Sequence, residues 1–265
     1  MRSGARPMAL GVEVTGGARA RPRLIITADD FARDPVCTAA VAEHLFEGRV
    51  TAASIMANGA CFAEACEIAQ ARGLSDRIGI HLVFDEGPPV SREMGAFADG
   101  NGNLCVSRYL MRLGSRFSAA IEAECVAQVE QVLAAGIRPT HIDSHRHVHT
   151  RFPIGRLVVK VARRFAIPYV RPARNLPRSK SLLKSVYKSF FNRYVASQVG
   201  TADYFCDIED FFAQRYAVPA GSLIECMVHL DGSPRGLSGQ RLLHDLEFHR
   251  FVANYDLVGH TNAVS

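Results

Sequence analysis

The chain has 265 residues, 48% hydrophobic and 22% charged, the mix of an ordinary globular protein with ample material for one core. Its formal charge of +5 favours anionic partners only weakly, and no Lys/Arg run resembles a nucleic-acid-binding arm. Seven cysteines, odd in number and without a CxxC pair, read as thiols of a reducing compartment rather than a disulfide framework or a zinc ribbon.

Residues 1–22, rich in Gly, Arg and Ala, lack the continuous apolar core of a signal peptide and read as a flexible leader outside the fold. No apolar stretch approaches the roughly 18 to 20 residues of a membrane span. The expectation is a cytoplasmic protein with one domain over 23–265.

From there short β-rich runs alternate with helical patterns. "RLIIT" (23–27) reads as a buried strand and 36–48 as a helix stopped by Gly48. A strand at 50–58, an Ala-rich helix at 60–72 and the strand "IGIHLVF" (78–84) follow. After a polar loop (85–107) come a helix at 118–136, the strand "THIDS" (140–144) and a helix near 153–166. "YVRPA" (169–173) reads as a strand and 179–197 as a helix. "DYFCDI" (203–208) and "SLIECMVHL" (222–230) read as strands, 239–252 as a helix, and "YDLVG" (255–259) as a last strand. About eight strands alternating with helices predict an α/β fold, a (β/α) barrel of TIM-like form with distortion allowed, typically ~250 residues long. An open doubly wound sheet is the alternative.

The polar residues fall at the ends of these strands. Asp29 and Asp30 follow the first, His81 lies in the third, "THIDSHRHVHT" (140–150) closes the fourth, and His229 ends "LIECMVHL". In a barrel the carboxyl ends of the strands form one rim, so residues distant in sequence would share a cavity. Singly, the aspartates read as a helix cap and each histidine as a core residue. Clustered histidines and an aspartate at a strand end, by contrast, need a cation to offset their desolvation. Two imidazoles and a carboxylate suit one divalent ion, Zn2+ or Mg2+, with positions left for water and substrate. The second aspartate is then a base, and a histidine opposite it an acid, for metal-assisted hydrolysis of an amide or ester. Nucleophile-elbow, P-loop and Rossmann fingerprints are missing.

In order and spacing, "ITADDF", "IGIHLVF", "THIDSHRHVH" and "IECMVH" resemble the motifs of the YdjC-like carbohydrate deacetylases, a group that includes chitooligosaccharide and hopanoid-sugar deacetylases. The resemblance runs from about residue 23 to the end. It implies a (β/α)-barrel hydrolase that uses a divalent metal to remove acetyl groups from N-acetylated sugars. By position it makes Asp30, His81 and His145 the metal ligands, Asp29 the general base and His229 the acid. His147 and His149 then bind substrate or support a ligand, and Asp143 orients a neighbouring histidine. Arg171, in "YVRPAR", is expected either to be buried, lowering the pKa of Asp29 and fixing its orientation, or to form a surface salt bridge. Ala32 stands where the family usually has Gly, and Leu230 where it usually has Pro.

Helix 179–197 carries an apolar stripe from Leu182 to Tyr194 with Lys180, Lys184 and Lys188 on another face. Packing on the sheet, a homodimer contact, or a basic face meeting a membrane or lipid-linked sugar are its three readings. The competing functions are a metallohydrolase of another bond, such as a phosphoester, and a non-catalytic glycan-binding barrel.

Overall fold

The computed structural model describes residues 20–106, 114–177 and 179–263. The expected leader therefore lies outside the described residues except for positions 20–22, and so does residue 107, the last of the expected polar loop.

Seven parallel strands make up the sheet: β1 (Arg23–Phe31), β2 (Ala52–Ile55), β3 (Ile78–Leu82), β4 (Ile142–Ser144), β5 (Tyr204–Asp207), β6 (Leu223–Val228) and β7 (Asp256–Leu257). Their order is β4-β3-β2-β1-β6-β5, with β7 paired to the start of β1. Helices fill the connections: α1 (Pro35–Phe46), α2 (Phe62–Ala71), α3 (Arg92–Gly95), α4 (Ser115–Ala134), α5 (Phe152–Arg164), α6 (Leu182–Ala196), α7 (Ile208–Gln214), α8 (Pro234–Leu243), α9 (Leu246–Val252) and α10 (His260–Ala263). Strands buried on both faces, such as β6 with all six residues buried, are what a parallel sheet under helices requires.

The sheet curls as a half-barrel, and the expected eighth strand is the main departure. Between β4 and β5 the run 169–173 makes only isolated bridges, Ile142 to Val170 and Tyr169 to Gly200. Pro168 and Pro172 flank those residues, and a proline nitrogen has no hydrogen to give a ladder. The helix expected over 239–252 is two helices. Ser233 caps α8, with Pro234 in its first turn, and Asp245 accepts from the Glu247 and Phe248 amides to start α9. Helix α7, only seven residues long, falls where no helix was expected.

Strand β1 runs past both aspartates rather than stopping before them. Its register with β2 shifts between Ala28 and Phe31, and Asp30 has φ 64°. In a regular strand residues 29 and 30 would face opposite sides. The irregularity brings both carboxylates within 4.8 Å of a His81 ring nitrogen. No helix among the described residues is long and apolar enough to cross a membrane.

Candidate active site

The carboxylate of Asp30 is the centre of the site. Its Oδ1 lies 3.0 Å from His81 Nε2 and 2.9 Å from His145 Nδ1, and all three residues are buried. β1, β3 and the 3-10 turn His145–Thr150 after β4 supply one residue each. His145 reaches out with Nε2 to Glu86 Oε2, 3.2 Å away, and Glu86 is held at 2.9 Å by Arg33.

His81 Nδ1 is 2.7 Å from Asp143 Oδ1, so the imidazole gives its Nδ1 hydrogen to that carboxylate. Nε2 then turns its lone pair on Asp30, and two acceptors 3.0 Å apart need a proton or a cation between them. Burial opposes charge on His81, but Asp143, Asp30 and Asp29 outweigh it and push the ring up to about 10. A histidine that donates its far nitrogen to a carboxylate is the usual support of a metal ligand. Charge agrees: Asp29, Asp143 and Glu225 share one fully buried guanidinium, Arg171, and Asp30 is a fourth buried carboxylate beside them. The donors present thus fit one divalent cation held by Asp30, His81 and His145.

Arg171 is the hub beneath. Its guanidinium grips both oxygens of Asp29 at 2.8 Å, reaches Asp143 Oδ2 at 2.6 Å, and donates to Glu225 Oε1 at 2.7 Å. Burial raises the Asp29 pKa, yet Arg171, with His81 and His229, holds it below the usual carboxylate range. Tyr169 completes Glu225 with a 2.7 Å bond, and Ser54 bridges Asp143 to His141. Gly79 makes room for that bridge, because a Cβ there would meet the His141 ring at 2.3 Å.

The remaining histidines differ. His149 is fully buried; its Nε2 donates to the Arg171 carbonyl at 3.1 Å, and Nδ1 accepts from Ser144 Oγ at 2.6 Å. Both nitrogens are used, which ties the turn after β4 to the Arg171 carbonyl. Burial carries its pKa down to about 4. His147, at φ 54°, has a buried Nδ1 without a hydrogen-bond partner among the described residues, and burial, then Arg171, keep it neutral. His229, just past the end of β6, likewise has a buried Nδ1 without a hydrogen-bond partner among the described residues.

The YdjC-like protein family model matches residues 23–236. The chain belongs to the YdjC-like family. Over 150 residues it is 37% identical to a carbohydrate deacetylase of Brevibacillus brevis, covering 57% of this chain and 59% of that one. A carbohydrate deacetylase of Oceanobacillus iheyensis is 30% identical over 55% of this chain and 63% of its own. A human carbohydrate deacetylase is 29% identical over 58% and 49%. The match thus spans about half to six-tenths of these relatives' length. Among solved structures, a cellobiose-phosphate cleavage protein from Enterococcus faecalis V583 superposes with a TM-score of 0.74 at 22% identity, covering 93% of this chain and all of the other. That likeness is one of fold.

Glu86, Arg33, Glu225 and Tyr169 escaped the sequence reading. Glu225 alone left a signal, an acid inside the apolar run "LIECMV".

Proposed function

We propose that this YdjC-like chain is a metal-dependent carbohydrate N-deacetylase, which hydrolyses the acetamide of an N-acetylhexosamine unit to acetate and amine. The observation that carries the reading is Asp30 Oδ1 between His81 Nε2 and His145 Nδ1, 3.0 and 2.9 Å away, with Asp29 adjacent in the fork of Arg171. The carbohydrate deacetylases it resembles support the substrate class.

A divalent ion held by Asp30, His81 and His145, Zn2+ or Mg2+, would polarise the amide carbonyl and acidify a water. Asp29, kept ionised by Arg171, takes a proton from the attacking water. A strongly paired carboxylate is a weak base, so its task is proton acceptance from a water already made acidic. His229 gives a proton to the departing nitrogen as the C–N bond breaks, because an amide anion is a very poor leaving group. Arg171 stays out of the chemistry and fixes the orientation of Asp29.

A two-metal phosphoesterase is the second reading, since Asp29, His81 and Asp143 form another ligand-like group. Arg171 argues against it: the guanidinium already occupies both Asp29 oxygens and Asp143 Oδ2. Incubation of the metal-loaded protein with N-acetylglucosamine oligomers should release acetate, and chelation should stop it. Phosphate release from phosphoesters without acetate release would replace this reading by the second. Completion of the half-barrel into a full barrel and a cytoplasmic location belong to the same proposal.

A further inference from the structure

One region outside the site combines charge, exposure and a position beside the rim. Residues 144–202 contain 13 lysines and arginines and no aspartate or glutamate, while the rest of the chain carries 18 basic against 26 acidic residues. A protein of modest overall charge therefore concentrates its cations in one segment, which folds as the turn after β4, α5, the bridge at 169–170 and α6.

Helix α6 meets the body of the protein along a narrow line. Phe191 and Val195 are fully buried, and Phe191 lies so close to α5 that a Cβ on Gly155 would be 2.5 Å from its ring. Another side of the helix is apolar and faces out: Leu182, Leu183, Val186 and Phe190 are each 53% to 84% exposed. These positions share one arc, since residues three and four apart stack on a helix. On the side of Phe191 and Val195, nearer the N-terminus of the helix, Lys184 and Lys188 line a groove of about 300 Å³ with Leu183, Tyr187, Arg174 and His147, so the groove ends at the catalytic rim. Burial, then Arg174 and Lys184, push the Lys188 ammonium below its usual range. Arg156, Arg163 and Arg164 of α5 line a further groove with Lys160, and of these Lys160 pairs with Glu122 at 2.6 Å and Arg164 with Glu130 at 3.9 Å, both on α4.

We propose that this face of α6 and α5 docks the protein on an anionic lipid bilayer, with Leu182, Leu183, Val186 and Phe190 entering the headgroup boundary and cations of the same two helices meeting lipid phosphates. Large aliphatic side chains on a helix that also carries cations are the composition of an interfacial helix. A nucleic acid would use the cations and leave the four apolar residues in water. A second copy is opposed by charge, because a two-fold contact sets a patch against itself and would bring these cations face to face. The docked face lies one groove from His147, so the site opens beside the membrane. The inference stands apart from the deacetylase reading, since vesicle binding needs neither metal nor turnover.

The test is flotation of the full chain with phosphatidylcholine–phosphatidylglycerol vesicles and with pure phosphatidylcholine vesicles. The parent should float with the anionic vesicles alone, and less as salt rises. Two variant sets keep the result interpretable: Lys180, Lys184 and Lys188 to Glu, and Leu182, Leu183, Val186 and Phe190 to Ser, each checked for an unchanged circular dichroism spectrum. The charge reversal should reduce partitioning by at least about 100-fold, given the typical contribution of one basic residue at an anionic surface. The serine set should also lose binding. A parent that stays in solution at low salt overturns the proposal. So does a serine set that binds like the parent, which would mean ion pairing alone. A parent dimer in sedimentation equilibrium that the serine set dissolves would assign the face to a second copy instead.

Discussion

Arg171 and Asp29 form a two-pronged ion pair, 2.8 Å at each contact, with neither side chain more than 1% exposed. The same guanidinium serves Asp143 and Glu225, so one cation holds three carboxylates from three strands. Removal of one partner from a buried charged pair typically costs about 3–5 kcal/mol. Arg171→Ala, which strands all three acids, should lose at least that in urea unfolding. A loss below about 1 kcal/mol would mean that the network contributes little to the fold.

The same pair sets a pH limit. If Asp29 is the base proposed above, it acts when ionised; Arg171 lowers its pKa, so activity should be retained above the folded-state value and lost as pH falls through it. Arg171→Lys replaces the bidentate fork with a point charge. The acid limb of the rate profile should move to higher pH in that variant, while the basic limb stays. An unmoved acid limb would detach Asp29 from the catalytic titration.

Metal and proton chemistry should separate by mutation. His145→Ala should leave less than one ion per chain in elemental analysis, whereas Asp29→Asn should keep the ion and lose about 10²- to 10⁴-fold in acetate release. Full occupancy in His145→Ala would remove it from the ligand set.

His229→Ala should slow hydrolysis of N-acetyl substrates far more than that of an activated aryl ester, whose leaving group departs without a proton. Equal losses on both would make His229 a substrate contact.

Ala32 has φ 78° and is completely buried. Left-handed backbone costs an alanine roughly 1–2 kcal/mol, part of which glycine returns as lost chain entropy. Ala32→Gly should therefore stabilise the fold by about 0.5–1 kcal/mol in thermal unfolding. A lower melting temperature would mean that the methyl packs better than the backbone is strained.

The rim residues were legible because their chemistry conflicts with their setting: aspartates and histidines at the ends of apolar strands have few uses that do not involve a ligand. Placement of His81 against Asp30 and Asp143 follows from strands whose alternation the sequence displays. Glu86 and Arg33 were hidden, since loop residues carry no period from which to infer a meeting 53 positions apart. The run 169–173 misled because its β-branched and aromatic content outweighed Pro168 before it and Pro172 within it. The break at 244–245 was overlooked because apolar spacing continues through it, and only Asp245 as a cap reveals two helices.

The kink in β1 has a consequence for anyone who would rebuild this centre elsewhere. Pairing of β1 with β6 is regular through Ala28, and the slip in its other ladder comes only after that residue. Two consecutive acids grafted onto a straight strand would place one in the lumen and one in the wall. Transplantation must therefore carry the left-handed backbone at Asp30 along with the side chains, because a hinge one residue long decides which acid meets Arg171 and which meets the histidines.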